Sequence, residues 1–436
     1  MPPLANPPVR SRRRAPALAG AAFFAAVAVV PAGPAQAVVL EVAPGLGAGV
    51  TNNATGAATN QIPNQYEAYG SVRGAAALVA TGAGGVHRLG YMFQMTNYAE
   101  SRIADNTSHD VRWQSALNLS ARTELSLGAN TALYRYSAIP TTDPSGGNTI
   151  SAPIGTPATS VVNAGANQTL TYQPTGRVRY AQALVAGYIK PLDETNQVPN
   201  MLTLTATGRG EWGAGRDALT LTAMVTDMFR LDEPAIAPAS NYQLMSQLLG
   251  GYRRELSANA SVEGQAGALA FFDTTAGAVA MGPAGAATGT YRRLPWFATL
   301  ILMHAPTVNI YSAEAIIADS ATARLSLPLN RRETLIIAGF GGYTYARRVT
   351  GQSHFVFAPR IYDLFTLGGS LTYRFEKMPF IVALDYLATT QRGSITDGTT
   401  PDMGQRVYPS TLRRFIGLTV YGTLAWGEGQ HGFMRQ

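Results

Sequence analysis

The 436-residue sequence contains no cysteine, and only 14% of its residues are charged. A chain without cysteine has no disulfide framework, no thiolate metal site and no lipid anchor on a cysteine. Soluble domains carry about 25% charged residues, so this composition calls for unusually large apolar surfaces. Four arginines and no acid lie in residues 1–37, and the rest of the chain has 29 basic and 26 acidic residues. Charge therefore gives no reason to infer nucleic-acid binding.

The sequence also lacks an apolar run long enough for a membrane-spanning helix, which needs about 20 residues. Its longest run, 17–30, has 14 residues; an arginine-rich segment precedes it, and PAGPAQA follows it. Ala35 and Ala37 give the small-x-small pattern of a cleavage site. This order predicts a secretory signal peptide over 1–37. The next strongest apolar run, Leu294–Met303, has ten residues, which is the length of a transmembrane strand.

What the chain does contain is alternation of apolar and polar residues. In 111–122 the apolar positions are Val111, Trp113, Leu117 and Leu119, and the positions between them include Arg112, Gln114, Asn118 and Ser120. Successive side chains of a strand point to opposite faces, so this segment predicts a strand with one oily and one wet face. The same alternation recurs over 218–226, 323–329, 367–375, 380–387 and 416–426.

Two architectures share this pattern, a soluble sandwich and a membrane barrel. The predicted strands have about 10–15 residues, whereas strands of soluble proteins average about 5–6. The wet face consists of small and polar residues, which suit a water-filled lumen better than a packed core. Aromatic residues near strand ends predict interfacial girdles, with candidates Tyr134, Tyr136, Tyr343, Tyr345, Tyr373 and Trp426. We therefore expect residues 38–436 to form an all-β, antiparallel, up-and-down transmembrane barrel.

The alternating segments predict about sixteen strands, within a range of about 14–18. Short turns do not fall in a consistent phase along the chain, which indicates a missed or merged strand, most naturally within 304–329. The longest predicted extracellular loop covers 140–176, which is rich in Thr, Ser, Gly, Asn and Pro. Other predicted loops are 51–69, 232–241, 273–289, 349–359 and 391–410.

The sequence offers no catalytic, cofactor or metal site. Its five histidines are His87, His109, His304, His354 and His431. The adjacent pairs Ser353–His354 and His109–Asp110 point to opposite faces if they lie on strands, so neither predicts a dyad. We expect a protein that is not an enzyme and has no cofactor; an outer-membrane hydrolase is the last alternative.

Arginines on the polar faces are the candidate functional residues. A charge facing lipid near the bilayer midplane costs about 2–4 kcal/mol, so these side chains should point into a lumen. The candidates for lining it are Arg112, Arg177, Arg179, Arg324 and Arg374, and Asp385 is the clearest acid. Such a basic lumen would select anions, whereas arginine–acid pairs would only brace the barrel.

These segments resemble bacterial outer-membrane β-barrel proteins across residues 38–436. The last strand, 414–426, with Gly422, Leu424 and Trp426, is similar to the C-terminal signal recognised by the barrel-assembly machinery, although ten more residues follow it. The hairpins at 121–137 and 323–345 are similar to hairpins of the outer-membrane barrels that partner periplasmic polysaccharide-export proteins.

The resemblance implies a conduit in the outer membrane of a Gram-negative bacterium, for polar solutes or for polysaccharide export. Its expected partners are outer-membrane lipid, the barrel-assembly machinery and periplasmic export proteins, with no nucleic acid. The alternative is a structural or surface-recognition barrel with a blocked lumen, which acts through its loops.

The signal peptide gives a first testable prediction. Intact mass measurement of protein purified from outer membranes should show a chain that begins at Val38, because cleavage follows Ala37. Replacement of Ala35 and Ala37 by arginine should leave the precursor uncleaved, since both side chains must fit the small sites of the peptidase. A mature chain that retains residues 1–37 would contradict the prediction.

Overall fold

The computed structural model describes residues 37–54, 66–82, 84–101, 104–136, 159–192, 200–232, 242–273, 278–293, 296–309, 314–348, 361–392, 410–422 and 424–427. These residues form eighteen strands of 13–17 residues. Their bounds are β1 Ala37–Thr51, β2 Glu67–Gly82, β3 Gly85–Tyr98, β4 Asn106–Ser120, β5 Thr123–Tyr136, β6 Thr159–Thr175, β7 Val178–Pro191, β8 Met201–Ala214, β9 Asp217–Arg230, β10 Tyr242–Ser257, β11 Ala260–Asp273, β12 Ala278–Arg293, β13 Trp296–Asn309, β14 Glu314–Pro328, β15 Leu335–Arg348, β16 Ile361–Arg374, β17 Phe380–Arg392, and β18 in two described parts, Ser410–Gly422 and Leu424–Gly427.

Each strand pairs antiparallel with the next one along the chain, and the last pairs with the first. In that closing pair, Gly45 of β1 lies opposite Tyr421 of β18 and Leu40 lies opposite Trp426. The chain therefore folds as a closed up-and-down antiparallel barrel, the architecture of outer-membrane proteins. Among the described residues, no helix is long and apolar enough to cross a membrane.

The predicted fold class is confirmed, and the described strands number eighteen, the upper end of the expected range. The sequence analysis missed two strands, and neither lies within 304–329, where we expected the missed strand. Residues 159–175, interpreted as part of the 140–176 loop, form β6, and most of the predicted loop 273–289 belongs to β12. β12 consists almost wholly of Ala, Gly, Pro and Thr up to Tyr291, so its two faces do not differ in hydropathy. Its neighbours, and not its own pattern, place it in the sheet.

The two missed strands also resolve the phase of the connections. With them in place, the tight turns that the structure describes lie at one end of the barrel, for example 121–122, 176–177, 215–216 and 258–259. The last residues of β1, β5 and β17, after which the longer connections begin, lie at the other end. Outer-membrane barrels have short periplasmic turns and longer extracellular loops. We refer to the two ends as the short-turn end and the long-loop end.

Side-chain contacts identify the inner face. Arg209 of β8 donates a 2.8 Å hydrogen bond to Glu263 of β11, although two strands lie between them. Strands are spaced about 4.8 Å apart, so three intervals span about 14 Å along the sheet, and only side chains that converge on a concave face meet across that distance. Gln265 of β11 likewise reaches Thr222 of β9. Residues that lie opposite each other in a register share a face, so the strand registers extend this assignment of inner and outer residues around the whole barrel without conflict.

The outer face is apolar and exposed. Its leucines, including Leu46, Leu119, Leu219 and Leu248, are more than half exposed to the surroundings of the isolated chain. Exposed apolar side chains on one whole face would be unfavourable in water, whereas lipid accommodates them. The alternation predicted from the sequence therefore corresponds to an outer, lipid-facing set and an inner set of residues.

An aromatic ring lies across a glycine on the inner wall between β15 and β16. Phe340 lies opposite Gly368 in the register, and a Cβ atom built on Gly368 would overlap the Phe340 ring. On the outer face of β15, a Cβ on Gly341 would meet only Leu367, at an ordinary contact distance of 3.9 Å. Gly368 thus makes room for a large side chain on the neighbouring strand.

We expect Gly368→Val to lower the free energy of unfolding by about 1–3 kcal/mol, because the Phe340 ring must leave its rotamer or the strands must separate. Gly341→Val is the matched control and should have a much smaller effect. Urea unfolding in lipid vesicles, followed by tryptophan fluorescence, measures both. Equal effects of the two substitutions would show that the ring contact does not matter.

Candidate functional site

The inner wall carries its densest charged network where β8 to β11 approach the short-turn end. Arg209 is the centre of this network. Its guanidinium donates to Glu211 at 2.7 Å and to Glu263 at 2.8 Å. The side chains of Arg209, Glu211 and Glu263 are 28%, 15% and 20% exposed, so the network is lined by protein yet reaches the solvent of the lumen.

Two further side chains extend the network. Arg253 lies 3.8 Å from Glu211, and Gln265 donates to Glu263 at 2.7 Å. Arg179, a predicted lumen residue, is on the neighbouring strand, opposite Glu211 in the register of β7 and β8. We call Arg209, Glu211, Arg253, Glu263 and Gln265 the lumen network. It presents both charge signs and amide groups to a solute, the kind of surface that hydrogen-bonds polar groups from several directions.

A second polar region lies near β1, beside the closing pair of β1 and β18. Arg88 of β3 forms a 3.0 Å ion pair with Glu41 of β1, and both face the lumen. The guanidinium of Arg73 lies 4.7 Å from the ring centroid of Tyr421. Arg88 and Arg73 on the inner wall thus have an acidic and an aromatic partner. This pairing favours bracing over the simple anion-selective lumen that arginine alone would predict.

Towards the long-loop end the inner wall is different. Most strands from β6 to β16 have an inward residue there that is buried, among them Val161, Ile189, Met201, Met228, Met245, Phe271, Ala305, Ile316, Ala346 and Leu364. In an empty eighteen-strand barrel such residues would face water. Their burial shows that these side chains are covered by protein and do not line an open lumen at this level.

The predicted lumen arginines do not gather at one level. Arg112 faces inward on β4 and is paired with Asp110 at 2.6 Å. Arg324 faces inward on β14, and Arg374 is the last residue of β16, at the short-turn end. These residues lie on separate parts of the wall and do not form a ring.

Arg177 departs from the prediction. We placed it on the polar face of a strand, but residues 176–177 form the turn between β6 and β7. The missed strand β6 is the reason, since β7 needs that turn to pair with β6. Arg177 is exposed at the rim of the barrel.

The structure describes the side chains of three of the six aromatic residues that we predicted for the interfacial girdles. Tyr343, Tyr345 and Tyr373 belong to the outer set of β15 and β16, and the Tyr343 hydroxyl donates to Asp363 at 3.1 Å. Tyr373 lies near the short-turn end and the other two lie nearer the long-loop end. The side chains of Tyr134, Tyr136 and Trp426 lie outside the described part of the chain.

Three histidines are described, and all belong to the outer set. His87 hydrogen-bonds Ser115 at 2.9 Å, His109 hydrogen-bonds Tyr91 at 2.9 Å, and His304 contacts Asp319. His87, which bonds a serine, lies on the β3–β4 hairpin, whereas His304, which contacts a carboxylate, lies on the distant β13–β14 hairpin. His354 and His431 lie outside the described residues. The described ranges contain no cluster of three or more His, Asp or Glu side chains able to hold a metal ion.

Sequence reasoning missed the lumen network. The signal was present as charged residues two positions apart, because Arg209 and Glu211, or Arg253 and Glu255, share a face when they lie on a strand. What no pattern supplied is the curvature of the closed sheet, which brings β8 and β11 together across two strands.

The chain matches no protein-family model and no curated protein sequence. Solved structures with a similar barrel include the siderophore receptor PirA from Pseudomonas aeruginosa, with a TM-score of 0.44 and 8% identity over 88% of this chain and 80% of that one. Another is OccK2 from the same organism, in complex with glucuronate, with a TM-score of 0.43 and 10% identity over 90% of this chain and 99% of that one. A bacterial polysaccharide outer-membrane secretin gives a TM-score of 0.35 and 9% identity over 88% and 97%. At this level of similarity, function must be argued from the chain's own geometry.

The lumen network predicts a specific loss of stability. Arg209→Ala should lower the free energy of unfolding by about 1–3 kcal/mol, because Glu211 and Glu263 lose a partner that shields them from each other. Arg254→Ala is the control, since Arg254 lies on the exposed outer rim, 3.8 Å from Asp217. Urea unfolding in vesicles compares the two variants. An Arg209 variant as stable as the control would contradict the placement of Arg209 at the centre of the lumen network.

Proposed function

We propose that this chain forms a conduit for polar solutes across the outer membrane, with the lumen network as the surface that a solute meets from the periplasmic side. The observation that carries the proposal is the network of Arg209, Glu211 and Glu263 on the inner wall, whose side chains are 28%, 15% and 20% exposed. A barrel of this strand number is wide enough to enclose an aqueous channel. Paired charges of both signs favour hydrogen bonding of neutral polar solutes over strong selection of one ion.

Export of polysaccharide is one form of this conduit, and it stays a prediction from the resemblance of the hairpins. Sugar chains offer many hydroxyl groups, which carboxylates, guanidinium groups and the amide of Gln265 hydrogen-bond readily. In that case periplasmic export proteins would dock at the short-turn end, from which the network is reached.

A barrel with a blocked lumen is the second candidate, and the buried inner positions at the long-loop end support it. Met201, Met228 and Met245 are almost completely buried although they point inward. A chain that remained closed at this level would act as a scaffold or through its loops. The two candidates differ in whether ions cross the barrel.

Planar-bilayer recordings distinguish them. A conduit should give discrete conductance steps, and Glu211→Gln with Glu263→Gln should shift the reversal potential in a salt gradient towards anion preference, because two negative charges leave the wall. Asp217→Asn, on the outer face, is the control and should leave the reversal potential unchanged. A folded barrel that never conducts would favour the blocked scaffold.

A further inference from the structure

The barrel wall is incompletely paired between β12 and β13. Within the described residues, their pairing runs from Arg293–Trp296 at the short-turn end to Gly285–His304, and it ends there. The first seven residues of β12 remain paired with β11, and the last residues of β13 remain paired with β14. The two strands therefore separate from one another while each stays attached to its other neighbour. We call this gap the β12–β13 seam.

Two prolines explain where the pairing ends. If the register continued for two more residues, Pro283 of β12 would lie opposite Pro306 of β13. The N–H of Arg292 donates to Asn259 on the β11 side, at 2.7 Å. Backbone N–H groups alternate between the two neighbours along a strand, and the β11–β12 register has no shift. Odd-numbered residues of β12, including residue 283, thus face β13.

The same alternation makes residue 306 face β12. The position opposite would therefore be a hydrogen-bonded pair in which both donors are missing, because proline has no N–H. Proline in sheets is confined to edges for this reason. The sequence itself thus creates two strand edges at this point of the wall.

Beyond the seam the β13–β14 hairpin is displaced inward. Ile317 belongs to the outer set of β14, yet it packs against Leu249, Leu269 and Ala284, which belong to the inner sets of β10, β11 and β12. β14 accordingly approaches β10, although three strands lie between them. The outer face of the hairpin therefore lies against the inner face of the wall, and the barrel overlaps itself at the seam.

The seam is apolar on both sides and lies high in the membrane. On the outside, Met281 and Val279 are 77% and 63% exposed. Nine residues of each strand are paired below the seam, and a transmembrane strand takes about 9–11 residues. The seam thus begins at the level of the outer leaflet, if the short turns are periplasmic. An unpaired strand edge there needs hydrogen-bond partners that hydrocarbon does not supply.

We propose that the β12–β13 seam admits one acyl chain of a membrane amphiphile from the outer leaflet into the open space at Gly282, which borders the packed cluster of Leu249, Leu269 and Ala284. The occupant follows from the two properties of the seam. The apolar lining matches a hydrocarbon chain, and the N–H groups of β12 that face β13 match the ester or carboxylate oxygens at the head of that chain. This inference goes beyond the proposed function, and it holds whether or not the lumen conducts ions.

The absence of cysteine permits a direct test. Gly282 faces inward at the seam, where an added side chain has open space, and Ala75 faces inward on β2, across the barrel. Each is replaced by cysteine, labelled with bimane and reconstituted into phosphatidylcholine vesicles, with or without dibrominated acyl chains. Bromine quenches only on contact. We expect the label at position 282 to be strongly quenched and the label at position 75 to keep its fluorescence.

Restoring the two missing donors should close the seam. In the Gly282→Cys background, Pro283→Val with Pro306→Val should reduce quenching to the level of the position-75 label, and hydrogen exchange at residues 279–285 should slow. Pro44→Val is the control, because Pro44 on β1 lies within an unbroken register opposite Gly74. Folding of each variant is checked by its heat-dependent electrophoretic mobility, and Pro306→Val alone replaces the double variant if the latter does not fold.

An unquenched label at position 282 would overturn the proposal, as would quenching that persists after hydrogen exchange shows the seam to be closed. Bilayer conductance is recorded on the same proteins. Loss of acyl-chain contact with unchanged conductance separates the seam from the lumen pathway. A barrel that does not conduct but is quenched at position 282 would reject the proposed conduit and retain the seam.

Discussion

Backbone hydrogen bonding in a medium without water is the constraint on which this structure depends. A strand edge in hydrocarbon leaves N–H and C=O groups without partners, at a cost of several kcal/mol for each group. Eighteen strands meet this constraint by closing on themselves, with β1 paired to β18. Because closure satisfies the backbone, side chains need only sort between lipid and lumen, which is why a chain with 14% charged residues needs no single apolar core.

The β12–β13 seam is informative because it relaxes that constraint at one place. Proline cannot serve as a donor, and two prolines in opposite positions remove both hydrogen bonds of a pair. The wall responds by overlapping, so that Ile317 covers inner residues that would otherwise face the lumen. Apolar burial compensates for part of the lost pairing.

The interior divides into two regions with different chemistry. Towards the short turns, Arg209 holds two carboxylates in a network that reaches water. Towards the long loops, methionines and other apolar side chains are buried on most strands from β6 to β16. The buried carboxylate of Asp273 at this level accepts a 3.3 Å hydrogen bond from Gln243, because a carboxylate without a partner would be costly there.

The sequence by itself determined the fold class and most of the strands. Alternation such as that of 111–122 has a period of two, and a segment with an oily face and a wet face has few stable arrangements. The same reasoning placed Arg112, Arg179 and Arg324 on the inner wall. It failed for β6 and β12, whose residues are small or polar on both faces and so carry little contrast in hydropathy.

Only the tertiary structure decided which inward residues meet. Arg209 and Glu263 are 54 positions apart in sequence, and they pair because curvature brings β8 and β11 together on the concave face. Pro283 and Pro306 could be read as strand prolines, but their opposition follows only from the register of β12 and β13. Periodicity fixes the face of each residue locally, since it depends on one strand. Contacts across strands depend on register and curvature, which belong to the closed sheet.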